Sequence, residues 1–358
     1  MSRRVFLHVG APKTGTTYLQ SMLARNRTLL AEHGLTYPNT ASGNHFNAAI
    51  DLTDHPWGGR LELARGSWDK VASAAVKASG DAVISHEVLA AATPEQVRRA
   101  QETLEGPELH VVYSARDLGR QIPAEWQETV KHRGRRRFAG FLERVTEAPR
   151  VGSDEWFWRV QGLPDVLSRW STGMSPGRVH LITVPPPGAP VNLLWRRFAS
   201  VVGLDPDLDV EPGERANQSL GIGETALLRR LNVALKGRAI PQPVYASVVR
   251  ELIARDTLGK GKRPSVRATL PPASREFVDA VTAEWVEWVD GSRIDVVGDL
   301  AELRTRWPDD DTTWANPDRP RPAEVVNAAV SALAELVEVE AERYRKSPTG
   351  KIRRRFGR

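Results

Sequence analysis

Residues 8 to 18 read HVGAPKTGTTY, which brings two glycines, one lysine and three threonines into a single short loop. Gly10 and Gly15 keep the spacing of a nucleoside-triphosphate loop, G-x-x-x-x-G-K-[ST], but Thr16 stands where that loop has its lysine. The only lysine, Lys13, lies inside the loop. From there an ammonium reaches a bridging oxygen beside a bound phosphate and would stabilise a leaving group. A glycine-rich turn without a ligand is the plain alternative. The preceding apolar run, the lysine and the hydroxyls argue instead for a phosphate at residues 12 to 17, where backbone N–H groups and a helix dipole converge.

Two further stretches carry groups that could move protons or hold charge. AVISHEVL (82 to 89) ends an apolar run at Ser85, His86 and Glu87. A histidine with its ordinary pKa of about 6.5 takes a proton near neutral pH, whereas a glutamate there needs its pKa raised. A strand-end histidine that only hydrogen-bonds a loop is the alternative. SGNHFNAAIDL places His45 beside Asn44 and Phe46, and with Trp57 these could line an acceptor pocket, although a lone loop histidine is more often structural. No apolar strand ends on a convincing carboxylate for a magnesium nucleotide, which favours a donor that needs no metal.

The elements that must position these groups follow from the apolar pattern. RRVFLHVG (3 to 10), GDAVISHE (80 to 87), ELHVVYSARD (108 to 117) and GRVHLITVP (177 to 185) read as buried strands, with LTYP as a short extended piece. Leu19, Met22, Leu23, Leu29 and Leu30 recur at helical spacing over 16 to 34, and Gly34 stops that helix. Strands alternating with helices predict an α/β fold with a central parallel sheet flanked by helices in three layers and right-handed crossovers. Beyond Pro185 the patterns are amphipathic helices, predicting a helical carboxyl half. The expected organisation is an α/β domain over 1–310, with the sheet core in about 1–200 and a helical lid and cap in about 205–310. A long helix at 321–345 and a basic tail at 346–358, expected to be disordered, complete it. No internal repeat is present.

Composition narrows the function classes. Of 358 residues, 41% are hydrophobic and 26% charged, as in an ordinary globular chain, and the absence of cysteine excludes disulfides, thiolate metal sites and a cysteine nucleophile. The net charge of +6 is concentrated at the end: RYRKSPTGKIRRRFGR carries eight Lys or Arg and no acid, leaving the rest at −2. Nucleic acid is therefore not the expected partner, although the tail could meet an acidic partner or membrane surface. No apolar run approaches the roughly 18 residues of a membrane span, and the run after MSRR is too short for a leader, so a soluble, cytoplasmic protein is expected.

PKTGTT resembles the 5′-phosphosulfate loop of the sulfotransferase family, which uses 3′-phosphoadenosine 5′-phosphosulfate (PAPS). VVYSARDLGRQIPAEWQE (111 to 128) resembles that family's strand and helix for the 3′-phosphate, and RANQSLGIGETALLRRLN (215 to 232) is similar to a lid segment of bacterial members. The resemblance covers residues 4 to 235 well and the remainder weakly. It implies a P-loop NTPase-like fold and a PAPS-dependent transferase that moves a sulfuryl group to a hydroxyl or amine of a small-molecule, sugar or lipid acceptor without a metal. By position, Lys13 would contact the oxygen linking phosphate to sulfate, and Pro12, Thr14, Gly15, Thr16 and Thr17 would hold the 5′-phosphate. Tyr18 would stack on adenine or pack as a helix tyrosine. Arg116 would bind the 3′-phosphate. Ala124 stands where cytosolic members have a serine, so Arg120, Gln121, Arg215 or Ser219 would supply the missing contact. His86, or else Glu87, would be the base. A P-loop kinase of unusual subtype and a non-catalytic nucleotide-binding protein are the alternatives; a metal requirement separates the first and an absence of turnover the second.

Overall fold

The computed structural model of the chain describes residues 3–39, 45–213, 219–260, 265–309 and 311–347. Six strands form one parallel sheet: β1 (Arg4–Gly10), β2 (Leu35–Thr36), β3 (Asp81–Ser85), β4 (Glu108–Ala115), β5 (Val179–Thr183) and β6 (Asp295–Val297). Their order is β2-β3-β1-β4-β5-β6. Val5, Leu7 and Val9 point to one face of β1 and Phe6 and His8 to the other, and none is more than 1% exposed, so the sheet is covered on both faces. Register sets the site: His8 lies opposite Ser85 of β3 and Val112 of β4, and all three strands run the same way. The carboxyl ends of β3, β1 and β4 therefore meet along one edge.

The strands expected from apolar runs all form. Two expectations change. The helix predicted over 16 to 34 is two helices, α1 (Thr16–Arg25) and a second over Arg27–Glu32. They part at Asn26, whose side-chain amide donates to Met22 O at 2.8 Å and to Glu211 O at 3.0 Å, and such bonds compete with continuing the helix. The sixth strand, β6, lies well beyond the first 200 residues and pairs with β5 through only three residues.

The opposite, amino edge of the sheet is tied by an ion pair and a hydrogen-bonded chain. Arg4 grips Asp81 through its backbone N–H and its guanidinium at 2.6–2.8 Å. Glu108, His110, His180 and Asp295 form a hydrogen-bonded chain across β4, β5 and β6, with links of 2.8, 2.8 and 2.7 Å.

The chain divides into two compact units. The first contains Met1–Ile122, Glu143–Ala216 and Pro272–Pro308; the second contains Pro123–Leu142, Asn217–Pro271 and Asp309–Arg358. The sheet belongs to the first. The second is helical, with Ile222–Ala234 and Pro322–Lys346 among its helices. Within it, the buried Asn232 amide donates to Val130 O at 2.7 Å and Gly134 O at 2.8 Å, while the Tyr245 hydroxyl donates to its Oδ1 at 2.6 Å. Among the described residues no helix is long and apolar enough to cross a membrane.

Candidate functional site

The loop from Gly10 to Gly15 turns β1 into α1. Gly15 caps α1 in the left-handed region, with φ of 89°, where a side chain is strained, and a Cβ there would stand 2.5 Å from Leu194 Cδ2 and push that side chain aside. Lys13 is left-handed too, with φ of 63°, a conformation that costs a non-glycine residue about 1–2 kcal/mol. Neighbours hold it there. Gln161 Nε2 donates to Pro12 O at 3.0 Å, Gln121 Nε2 donates to the same oxygen, and Arg116 Nη1 donates to Lys13 O at 2.9 Å. Thr14 Oγ1 closes the loop on Ala11 O. Thr16 is buried, whereas Thr17 is exposed at the start of α1. The first turn of α1 has no acidic residue and no side-chain cap, so its leading N–H groups are open to an anion.

On the β3 side of the loop stand His86 and Glu87. His86 Nδ1 accepts from the Val88 N–H at 3.2 Å, which in the neutral ring leaves the proton on Nε2. Burial lowers the His86 pKa against the opposing pull of Glu87. Burial pushes the Glu87 carboxyl up, but His86, a backbone N–H, Gln20 and Lys13 outweigh it, and the net direction is down. Gln20, on α1, donates to Glu87 Oε2 at 3.0 Å. Glu87 is thus an ionised carboxylate beside the loop, opposed in charge to Lys13.

Beneath the loop, His8 is fully buried, with Nδ1 2.8 Å from Ser85 Oγ and Nε2 3.1 Å from Ser114 Oγ. Burial lowers its pKa to about 4, so the ring is neutral. His45 is buried as well. Its Nε2 donates to Pro38 O at 2.8 Å and its Nδ1 accepts from Ser85 N at 3.0 Å, which makes it a latch between the chain before the helix His45–Thr53 and the end of β3. With both nitrogens spent, it presents no free polar atom to an acceptor. Asn44 lies outside the described residues.

Phe46 stands 5.1 Å from the His86 ring and 5.7 Å from Trp57. His55 and Trp156 extend this into a half-buried aromatic cluster, with Trp57 6.2 Å from Trp156. Trp68, Trp158 and Trp285 are core residues, whereas Trp156 joins this cluster.

On the β4 side, Arg116 spends two donors on carbonyls, those of Lys13 and Arg120. Arg120 is paired with the buried Asp117 and also donates to Pro185 O at 3.2 Å. Asp117, the carboxylate nearest the carboxyl end of β4, is thereby already engaged. Tyr18 is half-buried on α1, packed against the core that contains Leu19 and Leu23. Ser219 is exposed and belongs to the second unit, and Arg215 lies outside the described residues. The structure thus gathers the loop, His86, Glu87, Phe46 and Arg116 on adjoining strand ends of the first unit. Sequence reasoning missed Gln161 and His55; a buried glutamine at a helix end has no chemical signature of its own.

No family model matches the chain. No curated protein matches it either. Among solved structures, the chain is similar to a sulfotransferase from Alicyclobacillus acidocaldarius, at 16% identity and a TM-score of 0.38, over 72% of this chain and 100% of that one. That likeness is too distant to assign a function, which has to come from the chain's own residues.

Proposed function

We propose that the chain is a PAPS-dependent sulfotransferase on a three-layer P-loop NTPase-like fold, acting on a hydroxyl or amine of a small-molecule, sugar or lipid acceptor. The observation that carries this reading is Lys13: it sits inside the loop, in a left-handed conformation, facing the charge of Glu87. The open N–H groups of α1 and the neighbouring Arg116 fit an anionic donor at this edge. When bound, PAPS supplies a sulfuryl group activated by its bond to phosphate. The loop N–H groups and the Thr17 hydroxyl hold the 5′-phosphate, and Lys13 meets the charge that grows on the departing phosphate oxygen.

The proton goes to Glu87 in this account, although its lowered pKa makes it a weaker base than a glutamate whose pKa is raised. Sequence alone favours His86, but the Val88 N–H occupies Nδ1 and the remaining ring nitrogen carries a proton, so His86 is set up to donate to the acceptor oxygen. Phe46, Trp57 and Trp156 supply the apolar surface against which an acceptor would rest. Arg116, beside Lys13, reads the 3′-phosphate, and Arg120, held by Asp117, stands next to it.

Binding calorimetry tests the donor assignment. Adenosine 3′,5′-bisphosphate is expected to bind at least ~10-fold more tightly than 5′-AMP, in keeping with one charge-assisted phosphate contact. Arg116→Ala is expected to weaken the bisphosphate strongly and AMP slightly. Equal affinities for both nucleotides, with tighter binding of magnesium ATP, would favour the kinase.

A further inference from the structure

We infer that Gln121 and Gln161 are positioning residues that aim the loop's N–H groups at the anion, an inference that rests on reading residues 12 to 17 as an anion loop. Both side chains are buried, at 1% and 3% exposure, and they come from different places: Gln121 from the helix Leu118–Lys131, Gln161 from the end of the helix Trp156–Gln161. Both amides donate to a single acceptor, Pro12 O, and Arg116 holds the next carbonyl, Lys13 O. A carbonyl has two lone pairs, and here the protein fills both.

The consequence comes from peptide geometry. In a planar trans peptide the C=O and N–H vectors point in opposite directions. Fixing Pro12 O toward the two amides turns the Lys13 N–H the other way, and fixing Lys13 O toward Arg116 does the same for the Thr14 N–H. The brace therefore sets the direction of two successive donors and holds Lys13 in its left-handed conformation. Gln121 also carries a cost that points to a role: its Oε1 is buried without a hydrogen-bond partner among the described residues. Turning the amide over would face that oxygen against Pro12 O, so only the present orientation serves the loop. A leucine or methionine would fill the same space without the orphaned atom.

The test uses Gln121→Met, Gln161→Met and the double variant of the full chain, with binding of adenosine 3′,5′-bisphosphate, pyrophosphate and unphosphorylated adenosine measured beside the Tm. Each single change is expected to weaken both phosphorylated ligands about 5-fold, and the double change about 100-fold, because either amide alone still holds the shared carbonyl. Adenosine binding and Tm are expected to stay near the wild-type values. Unchanged phosphate affinity in the double variant would overturn the brace, as would an equal loss for adenosine and the phosphates together with a lowered Tm, the pattern of a purely structural residue. Should the double variant not fold, Gln161→Asn, which withdraws the amide by one methylene, carries the test: a selective loss of phosphate affinity supports the brace and no loss overturns it. Wild-type protein that binds neither phosphorylated ligand would overturn the anion-loop reading and the brace with it, whereas binding by wild type and variants alike overturns the brace alone.

Discussion

At the amino edge of the sheet Arg4 grips Asp81, and the chain from Glu108 through His110 and His180 to Asp295 joins carboxylates to rings. At the carboxyl edge of the same strands, side chains donate to loop carbonyls, two buried histidines are neutral, and Lys13 faces Glu87 beside open helix N–H groups. One edge meets its polar needs with paired side chains. The other ties its carbonyls back and leaves donors pointing outward, at the cost of a left-handed lysine. The difference teaches where binding energy can be spent: ligands of parallel sheets collect at the carboxyl ends, and that edge here keeps donors for an anion.

The largest effect that would sharpen this contrast is on Lys13. Lys13→Ala is expected to lower turnover of PAPS by about 10²- to 10³-fold while weakening the bisphosphate product less than tenfold, since the charge it meets develops in the transition state. Steady-state kinetics beside calorimetry reads both; equal losses would make Lys13 a binding residue only.

Acid should undo the carboxyl edge first. His8 and His45 titrate at 6.5 when unfolded and at about 4 when folded. Above 6.5 neither state binds the proton and stability is full. Between 6.5 and 4 the unfolded chain binds more protons, so stability falls with pH, by about 3 kcal/mol for His8 alone. Denaturant titrations from pH 7 to 4 should show that loss, and His8→Asn should flatten it. A stability independent of pH over this range would contradict the buried neutral rings.

Next comes the base. Glu87→Gln is expected to reduce kcat about 10²-fold, and His86→Gln about 10-fold, as for a positioned base and a single hydrogen-bond donor. The pH dependence of kcat/KM sharpens this: the Glu87 pKa lies below the ordinary carboxylate value, so the limb due to the base should fall only in acid below it. A limb near the histidine range that vanishes in His86→Gln would restore His86 as base. The smallest effect belongs to the amino edge, where Asp81→Asn should cost about 1 kcal/mol of stability by denaturant titration and leave turnover unchanged.

Much of this edge was legible before any coordinates. The strands over 4–10, 81–85 and 108–115 are continuous apolar runs closed by glycine or polar residues, and their order placed the loop, His86, Glu87 and Arg116 on one side of the sheet. Other features depend on contacts that no local pattern encodes. Asn26 breaks the first helix through a carbonyl 185 residues away. Asp295–Val297 is too short to announce a strand and needs β5 beside it. The proposal of Glu87 in place of His86 as base turns on the direction of one backbone N–H, that of Val88, which follows from the tight turn after β3. His45, which reads as a pocket residue, is a latch because Pro38 O and the Ser85 N–H happen to reach both its nitrogens.

The central claim is that the loop around Lys13 presents a sulfuryl donor to an acceptor beside Glu87. Its most direct test is release of adenosine 3′,5′-bisphosphate from PAPS by the wild-type chain, with a panel of sugar, lipid and aromatic hydroxyl acceptors in EDTA, read by mass spectrometry. The account predicts that bisphosphate and a sulfated acceptor appear together, and that both vanish in Lys13→Ala. Consumption of ATP that requires magnesium, with PAPS left intact against every acceptor, would contradict it.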